Sequence, residues 1–139
     1  MKLLTLFAAF SFTAFAGGGL NLEITQGSAG ALLNARVTAC QDPAKSSVKA
    51  SVVTIVDGQL KRQPLRVEAV ANQPGVFAIS GSMPDATVVV EVTVTNPEYE
   101  SYEPRALMRA AAGKIQLASL KQFFSVPPKL ADYRQTLAD

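Results

Sequence analysis

Alternation of valine with polar residues in the segment TVVVEVTVTN predicts a β-strand with one buried face. Successive side chains of a strand point to opposite faces, so residues two positions apart share a face. One face would carry Val88, Val90, Val92 and Val94, and the other would carry Thr87, Glu91, Thr93 and Thr95. We therefore expect the four valines to enter a core, with Glu91 and the threonines on the polar face.

The same period of two recurs along the chain and predicts an all-β fold. Its inward-facing members are Leu20, Leu22 and Ile24 in LNLEI, Leu33, Ala35, Val37 and Ala39 in LNARVTAC, and Leu65, Val67 and Ala69 in LRVEAV. The segment VKASVVTIV is apolar almost throughout, as in a central strand buried on both faces. Turn sequences at Asp57-Gly58, Pro74-Gly75 and Gly81–Pro84 separate the strands. Short strands at such spacing are typical of an antiparallel sandwich or barrel.

Residues 105–124 are compatible with either strands or a helix. The segment PRALMRAAAG fits a short helix that ends at Gly113, or a strand in which Ala106, Met108 and Ala110 share a face. The segment KIQLASLKQFF has the same ambiguity, because its apolar residues fit both spacings.

After Pro127-Pro128, the segment KLADYRQTLAD predicts a short helix. Leu130, Tyr133 and Leu137 would lie on one of its faces. A helix of this length is marginal alone, so it either packs on the sandwich or frays.

The first residues have the pattern of a secretory signal peptide. A single positive charge at Lys2 precedes the uncharged apolar run Leu3–Phe15, and Ala14-Phe15-Ala16 has the small-x-small pattern that signal peptidase accepts. The run is shorter than the roughly 20 residues that a membrane-spanning helix needs. We therefore expect cleavage after Ala16 and a secreted or periplasmic protein without a membrane span. The predicted organisation is a signal peptide at 1–16, a β-sandwich at 17–124 and a tail with a short helix at 125–139.

The composition excludes most nucleophile and metal chemistry. The chain has no histidine, which excludes histidine-activated nucleophiles and histidine-ligated zinc or copper. Its single cysteine, Cys40, excludes an intramolecular disulfide and a CxxC pair. Cys40 falls on the polar face at a strand end, where it either acts as an intermolecular or capture thiol or is unreactive, and we favour the second. Ser46 and Ser47 lie near Lys45 and Lys49 in a polar loop, whereas a Ser-Lys dyad needs a desolvated lysine.

The densest group of carboxylates lies in NPEYESYEP. Glu98, Glu100 and Glu103 supply oxygen ligands of the kind that Ca²⁺ takes. Because no EF-hand-like spacing is present, we favour a solvated loop whose glutamates pair with Arg105 and Arg109.

Two further groups of charged residues have a functional and a simpler explanation. Asp57 and Glu68 are carboxylates of the type that glycosidases pair, but the position of Asp57 beside a glycine favours a turn. Lys61, Arg62 and Arg66 either dock an acidic partner or lipid headgroup, or protect an exposed strand edge, and we favour the second. After residue 16 the chain carries 12 Lys and Arg against 11 Asp and Glu, so no basic face for nucleic acid is expected.

Several segments together resemble known secreted sandwiches. GVFAI at 75–79, the valines of 88–94 and PEYESY at 97–102 resemble the layout of carboxypeptidase regulatory-like and transthyretin-like domains. GALLNARVTA is similar to the first strand of that group, and a PGxF hairpin is also found in secreted Ig-like domains, some of them linked to copper handling or cation-pump accessory proteins. The resemblance covers about residues 30–120. It implies a non-catalytic, all-β, antiparallel Ig-like or transthyretin-like sandwich, with Phe77 and Ile79 in the core.

These observations favour a binding protein over an enzyme. The expected partner is another envelope or extracellular protein, engaged through an edge strand or the loops at one end. The alternative is a small-molecule or glycan-binding module, which the scarcity of aromatic residues disfavours. A small hydrolase that uses carboxylates is the least favoured class. We predict no catalytic, cofactor or metal site, and the oligomeric state stays open.

Overall fold

The computed structural model describes residues 20–28, 30–38 and 42–139, which form two antiparallel sheets and a short helix. The predicted signal peptide, Ala39 and Cys40 lie outside the described residues. The elements are β1 Asn21–Gln26, β2 Leu33–Thr38, a 3-10 turn Pro43–Lys45, β3 Ser47–Val56, β4 Gln59–Pro64, β5 Arg66–Ala69, β6 Val76–Ser80, β7 Val88–Thr95, β8 Arg105–Ala111, β9 Lys114–Phe123 and α1 Leu130–Ala138. The prediction of an all-β sandwich with a short C-terminal helix is confirmed.

The strand order of the two sheets is that of an immunoglobulin-type sandwich with two added edge strands. One sheet has the order β1-β2-β6-β5 and the other β4-β3-β7-β8-β9, with antiparallel pairing throughout. Lettered along the chain, β1-β2-β6-β5 corresponds to strands A-B-E-D, and β3-β7-β8 to strands C-F-G. β4 extends this second sheet at one edge and β9 at the other.

The main core lies between the two sheets, as the alternation predicts. From β7 it contains Val88, Val90, Val92 and Val94, none of which is more than 1% exposed. From the four-stranded sheet it contains Leu20, Leu22, Ile24, Leu33, Ala35, Val37 and Ile79. Phe77 is partly buried against the same core. Ala69 is exposed, contrary to expectation, because it is the last residue of the short edge strand β5.

The ambiguous residues 105–124 form the hairpin β8–β9 rather than a helix. Ala106, Met108 and Ala110 face the main core, and β8 completes the hydrogen bonding of β7. Gly113, which the sequence also allows as a helix stop, instead forms the hairpin turn with Ala112, because both have positive φ angles of 77° and 53°.

A bulge interrupts β9 opposite Met108. Leu107 pairs with Lys121 and Arg109 with Gln116, so several residues of β9 oppose one residue of β8. The Ser119 hydroxyl fills the gap, accepting a hydrogen bond from the Arg109 backbone N–H at 2.7 Å and donating one to the Gln116 carbonyl at 2.6 Å.

Helix α1 packs against the outer face of the five-stranded sheet and creates a second, smaller core. This core contains Val53, Val89, Leu107 and Tyr133. The prediction that VKASVVTIV is buried on both faces is therefore correct at Val52 and Val53, although Val56 at its end is exposed. Glu91 lies on the face opposite the four valines, as the alternation predicts, but that face is not open to solvent at this position. Glu91 is only 5% exposed, because α1 covers this part of β7.

The turn that leads into β6 depends on Gly75. The Val76 N–H donates to the Gln73 carbonyl at 3.1 Å, and Gly75 has a φ of +82°, as expected for the third residue of a type II turn. A Cβ at Gly75 would lie 2.6 Å from the Cβ of Pro43.

We expect Gly75→Ala to lower the free energy of unfolding by about 2 kcal/mol, through backbone strain and this contact. Gly58→Ala is the matched control, since Gly58 also has positive φ but a Cβ there would meet nothing within 4 Å. It should lose about 1 kcal/mol in urea unfolding. Equal losses in the two variants would contradict the contact.

Candidate functional site

The outer face of the five-stranded sheet is divided into a covered half and an open half. Helix α1 covers the row in which Val53 of β3 pairs with Val89 of β7. The open half begins four residues along each strand, at the row Lys49, Thr93 and Arg105, and continues to Ser47 and Thr95. Glu91 lies between the two halves, in register with Ser51 and Leu107.

Glu91 is held by donors from three different elements. Arg62 of β4 approaches it side-on, with Nε 2.7 Å from Oε1 and a second nitrogen 3.2 Å from Oε2. Arg105 of β8 donates to Oε2 at 3.4 Å, and the Tyr133 hydroxyl of α1 donates a short hydrogen bond to the same oxygen. Arg62 also donates to the Tyr133 oxygen at 3.1 Å. We call these four residues the Glu91 cluster.

The contacts within the cluster shift three pKa values, so that Glu91 and Arg62 stay charged and Tyr133 stays neutral. Burial disfavours the ionised carboxylate of Glu91, but the hydrogen bonds from Arg62 and Tyr133 outweigh it, so its pKa falls below the usual value. The hydrogen bond to Glu91 raises the pKa of Arg62 above its usual value. Burial, together with the bond to Glu91, raises the pKa of the Tyr133 hydroxyl. The neutral Tyr133 hydroxyl therefore donates to the ionised Glu91 carboxylate, which also forms ion pairs with the guanidinium groups of Arg62 and Arg105.

These shifts predict a loss of stability in acid. A carboxylate whose pKa is lower in the folded state stabilises the fold above the unfolded pKa, and this contribution disappears as the pH falls through the folded pKa. We expect wild type and Glu91→Gln to differ most in urea unfolding near neutral pH and to converge as the pH falls below about 4.5. A difference that stays constant down to about pH 3 would contradict the assignment.

The C-terminal end of α1 is fastened to the hairpin β8–β9. The Arg109 Nε donates to the Leu137 carbonyl at 2.9 Å, and Lys121 forms an ion pair of 2.6 Å with Asp139. A cation beside the last carbonyl groups of a helix is favourable. At the other end, the Lys129 N–H donates to the Asp132 carboxylate at 2.7 Å. The helix therefore packs on the sandwich, which is one of the two outcomes that its length allows.

The open half of the sheet face forms a groove of about 330 Å³. Its floor and walls are Ser47, Lys49, Ser51, Arg62, Glu91, Thr93, Thr95, Glu103 and Arg105. Among the residues that the structure describes, the two serines and two threonines form no side-chain hydrogen bond, and Lys49 forms no ion pair. The groove thus presents free hydroxyl groups and one free ammonium group between charges that are already paired.

One end of the groove carries an apolar and acidic rim. The rings of Tyr102 and Phe124 stack with their centroids 6.3 Å apart, and Phe124 and Val126 are 39% and 65% exposed. Glu103 forms an ion pair of 3.5 Å with Arg105 and is 53% exposed. The groove continues beside these residues along the β7–β8 connection, where Glu100 lines two adjoining depressions.

The acidic residues Glu98, Glu100 and Glu103 could supply calcium ligands, although the sequence favours a solvated loop. Within the described ranges, no group of three or more acidic, cysteine or histidine residues is placed to hold a metal ion. Glu103 pairs with Arg105, as the interpretation of a solvated loop predicts, whereas the carboxylate of Glu98 lies 4.0 Å from the Lys45 ammonium group. The expected pairing with Arg109 is wrong, since its guanidinium group binds Leu137 and Gln116.

The other residues that the sequence singles out do not form a shared site: they lie far apart or are bound to other residues. Asp57 forms the β3–β4 turn with a φ of 53°, whereas Glu68 lies on the other sheet and pairs with Arg66. Ser46 is not in an exposed loop but is buried, and it accepts a hydrogen bond of 2.9 Å from Asn96. Lys61 and Arg62 lie on the edge strand β4, as edge protection predicts, but Arg62 also reaches Glu91.

Sequence reasoning missed the Glu91 cluster as a unit. The available signals were a single glutamate inside a valine-rich strand and a tyrosine on the apolar face of the predicted helix. A buried charge requires partners, but the sequence does not show that α1 returns to β7.

Comparison of the chain with protein-family models, with curated proteins and with solved structures gives no match. No helix among the described residues is long and apolar enough to cross a membrane. The site is therefore interpreted from its own geometry.

Proposed function

We propose that the chain is an exported, non-catalytic β-sandwich that binds another protein of the cell envelope or exterior through the groove. The observation that carries this proposal is the uncovered half of the outer sheet face beside α1. A sheet in a sandwich normally needs only one face buried. Here the second face is partly covered by a helix, while the rest keeps fixed charges and has the exposed ring of Phe124 at one end.

The composition of this surface supports a protein partner. Arginine, tyrosine and phenylalanine are enriched in protein interfaces, and Arg105, Tyr102 and Phe124 meet at one end of the groove. The floor contains no aromatic ring on which a sugar would stack. The groove is also partly open to solvent and lined only by residues of polar or charged type, unlike the enclosed apolar pockets that hold small ligands. These features favour a protein over the small-molecule or glycan alternative.

Site-specific photo-crosslinking tests the proposed surface in cells that export the full chain. Benzoylphenylalanine is placed at Thr95, which is exposed in the groove, and separately at Arg36, which is exposed on the outer face of the opposite sheet. Thr93→Trp, which fills the floor of the groove, is combined with the Thr95 probe as a blocking variant.

We expect a discrete protein adduct from Thr95 that the blocking variant abolishes, and none from Arg36. Adducts of equal yield from both faces, or an adduct that survives the blocking variant, would overturn the proposed surface. The absence of any protein adduct from the groove would do the same.

Export is tested separately by the fate of residues 1–16. We expect the exported protein to begin at Gly17 in N-terminal sequencing, because Ala14-Phe15-Ala16 fits signal peptidase. Ala16→Phe should leave an uncleaved precursor, whereas Thr13→Ser should be cleaved normally. An intact Met1 on wild-type protein retained in the cytoplasm would contradict export.

A further inference from the structure

We propose that the groove binds an extended protein segment that places a carboxylate over Lys49 and an apolar side chain against the Tyr102–Phe124 pair. This inference rests on the proposed function and names the chemistry of its partner. It follows from the distribution of charges along the groove, from the free hydroxyl groups of its floor and from the position of the Tyr102–Phe124 pair.

Lys49 is the residue that selects a carboxylate. In the groove, Arg62 and Arg105 are already bound to Glu91, and Arg105 also pairs with Glu103. Lys49 is exposed and lies in register with Thr93 and Arg105, so its ammonium group belongs to the same row. Of the three cations that line the groove, it alone has no carboxylate partner among the described residues. A carboxylate of the partner would therefore complete this row.

The floor of the groove matches an extended chain. Ser47, Lys49 and Ser51 are alternate residues of β3, and Thr93 and Thr95 are alternate residues of the adjacent β7. Side chains of one strand face repeat at about 7 Å, which is also the repeat of an extended peptide. The hydroxyl groups can donate to and accept from the polar groups of such a segment.

The acidic rim excludes a uniform polyanion. Glu100 and Glu103 line the continuation of the groove, so an anionic polysaccharide or nucleic acid would meet like charges there. A protein segment can carry an acidic residue at one end and an apolar residue at the other. The exposed ring of Phe124, stacked on Tyr102, is the contact for that apolar side chain.

Capped synthetic peptides of threonine and serine, with one glutamate near one end and one phenylalanine near the other, are the probes. Matched peptides carry glutamine or lysine in place of the glutamate. Binding to the exported protein is followed by amide chemical shifts and by fluorescence anisotropy. The variants are Lys49→Glu, Lys49→Gln and Phe124→Ser, with Lys114→Glu as the control. Lys114, like Lys49, is exposed and unpaired among the described residues, but it lies at the β8–β9 turn.

We expect the glutamate peptide to shift the amides of β3 and β7 and to bind more tightly than the glutamine and lysine peptides. Lys49→Glu should weaken binding about tenfold, Lys49→Gln less, and Lys114→Glu by less than about twofold. Phe124→Ser should also weaken it. The proposal would be overturned if the glutamate and glutamine peptides bound with equal affinity, or if Lys49→Glu and Lys114→Glu weakened binding equally. Amide chemical-shift changes outside the groove would also overturn it. The absence of measurable binding by the glutamate peptide would also overturn it.

The outcome separates this inference from the proposed function. If the Thr95 crosslink survives Lys49→Glu while the glutamate peptide fails to bind, the groove is a protein-binding surface but the acidic segment is wrong. If the Thr95 crosslink itself is not specific to the groove, the proposed function fails whatever the peptides do.

Discussion

Replacing Tyr133 with alanine is expected to lower the free energy of unfolding by about 4 kcal/mol. The ring is 1% exposed and packs against Val53, Val89 and Leu107 between α1 and the sheet. Its loss removes this apolar contact and leaves Glu91 without one of its donors. Because a helix of this length is marginal alone, α1 should also detach from the sheet. Urea unfolding and circular dichroism measure the two effects.

Tyr133→Phe is the control that separates packing from hydrogen bonding. It keeps the ring but removes the hydroxyl that bonds to Glu91 and Arg62, so we expect a loss of about 1 kcal/mol with α1 still docked. If Tyr133→Ala proves no more destabilising than Tyr133→Phe, the apolar contact of α1 with the sheet is refuted.

Glu91→Ala has the second-largest expected effect, a loss of about 3 kcal/mol. The substitution removes the acceptor of three donors and leaves the Tyr133 hydroxyl buried without it. Arg62 and Arg105 are partly exposed and can turn toward water, which limits the loss. In thermal unfolding the midpoint should fall by about 10 °C.

Glu103→Ala is the matched control for Glu91→Ala. Glu103 pairs with the same Arg105, at 3.5 Å, but its side chain is half exposed. An exposed ion pair contributes little, so we expect a change within about 0.5 kcal/mol. If Glu91→Ala and Glu103→Ala lower the free energy of unfolding by similar amounts, the burial of Glu91 does not make its contacts more stabilising than those of an exposed glutamate.

The strands facing the main core were predictable because alternation reports a single buried face. The valines at 88, 90, 92 and 94 and the residues of β1 and β2 lie where the period of two places them. The hairpin β8–β9 was ambiguous, since the apolar spacing of RALMRAAA fits both periods and small alanines favour a helix. Pairing with β7, which is a tertiary contact, decides the outcome in favour of strands.

The candidate site was not predictable because it depends on contacts between distant parts of the chain. Arg62, Glu91 and Tyr133 come from β4, β7 and α1, and no local pattern shows that these elements meet. Alternation even gives the wrong environment for Glu91, since it reports the face of the strand but not what covers that face. The helix that buries Glu91 covers the part of the sheet face beyond the groove.

Amide hydrogen exchange of α1 tests most directly the claim that this helix is docked on the sheet face beside an open groove. An undocked helix of nine residues would exchange rapidly, so protection can arise only from its packing. We predict that the amides of Tyr133–Leu137 exchange nearly as slowly as those of β7 in wild type, and become fast in Tyr133→Ala while β7 stays protected. Rapid exchange of α1 in the wild-type protein, with β7 protected, would contradict the account.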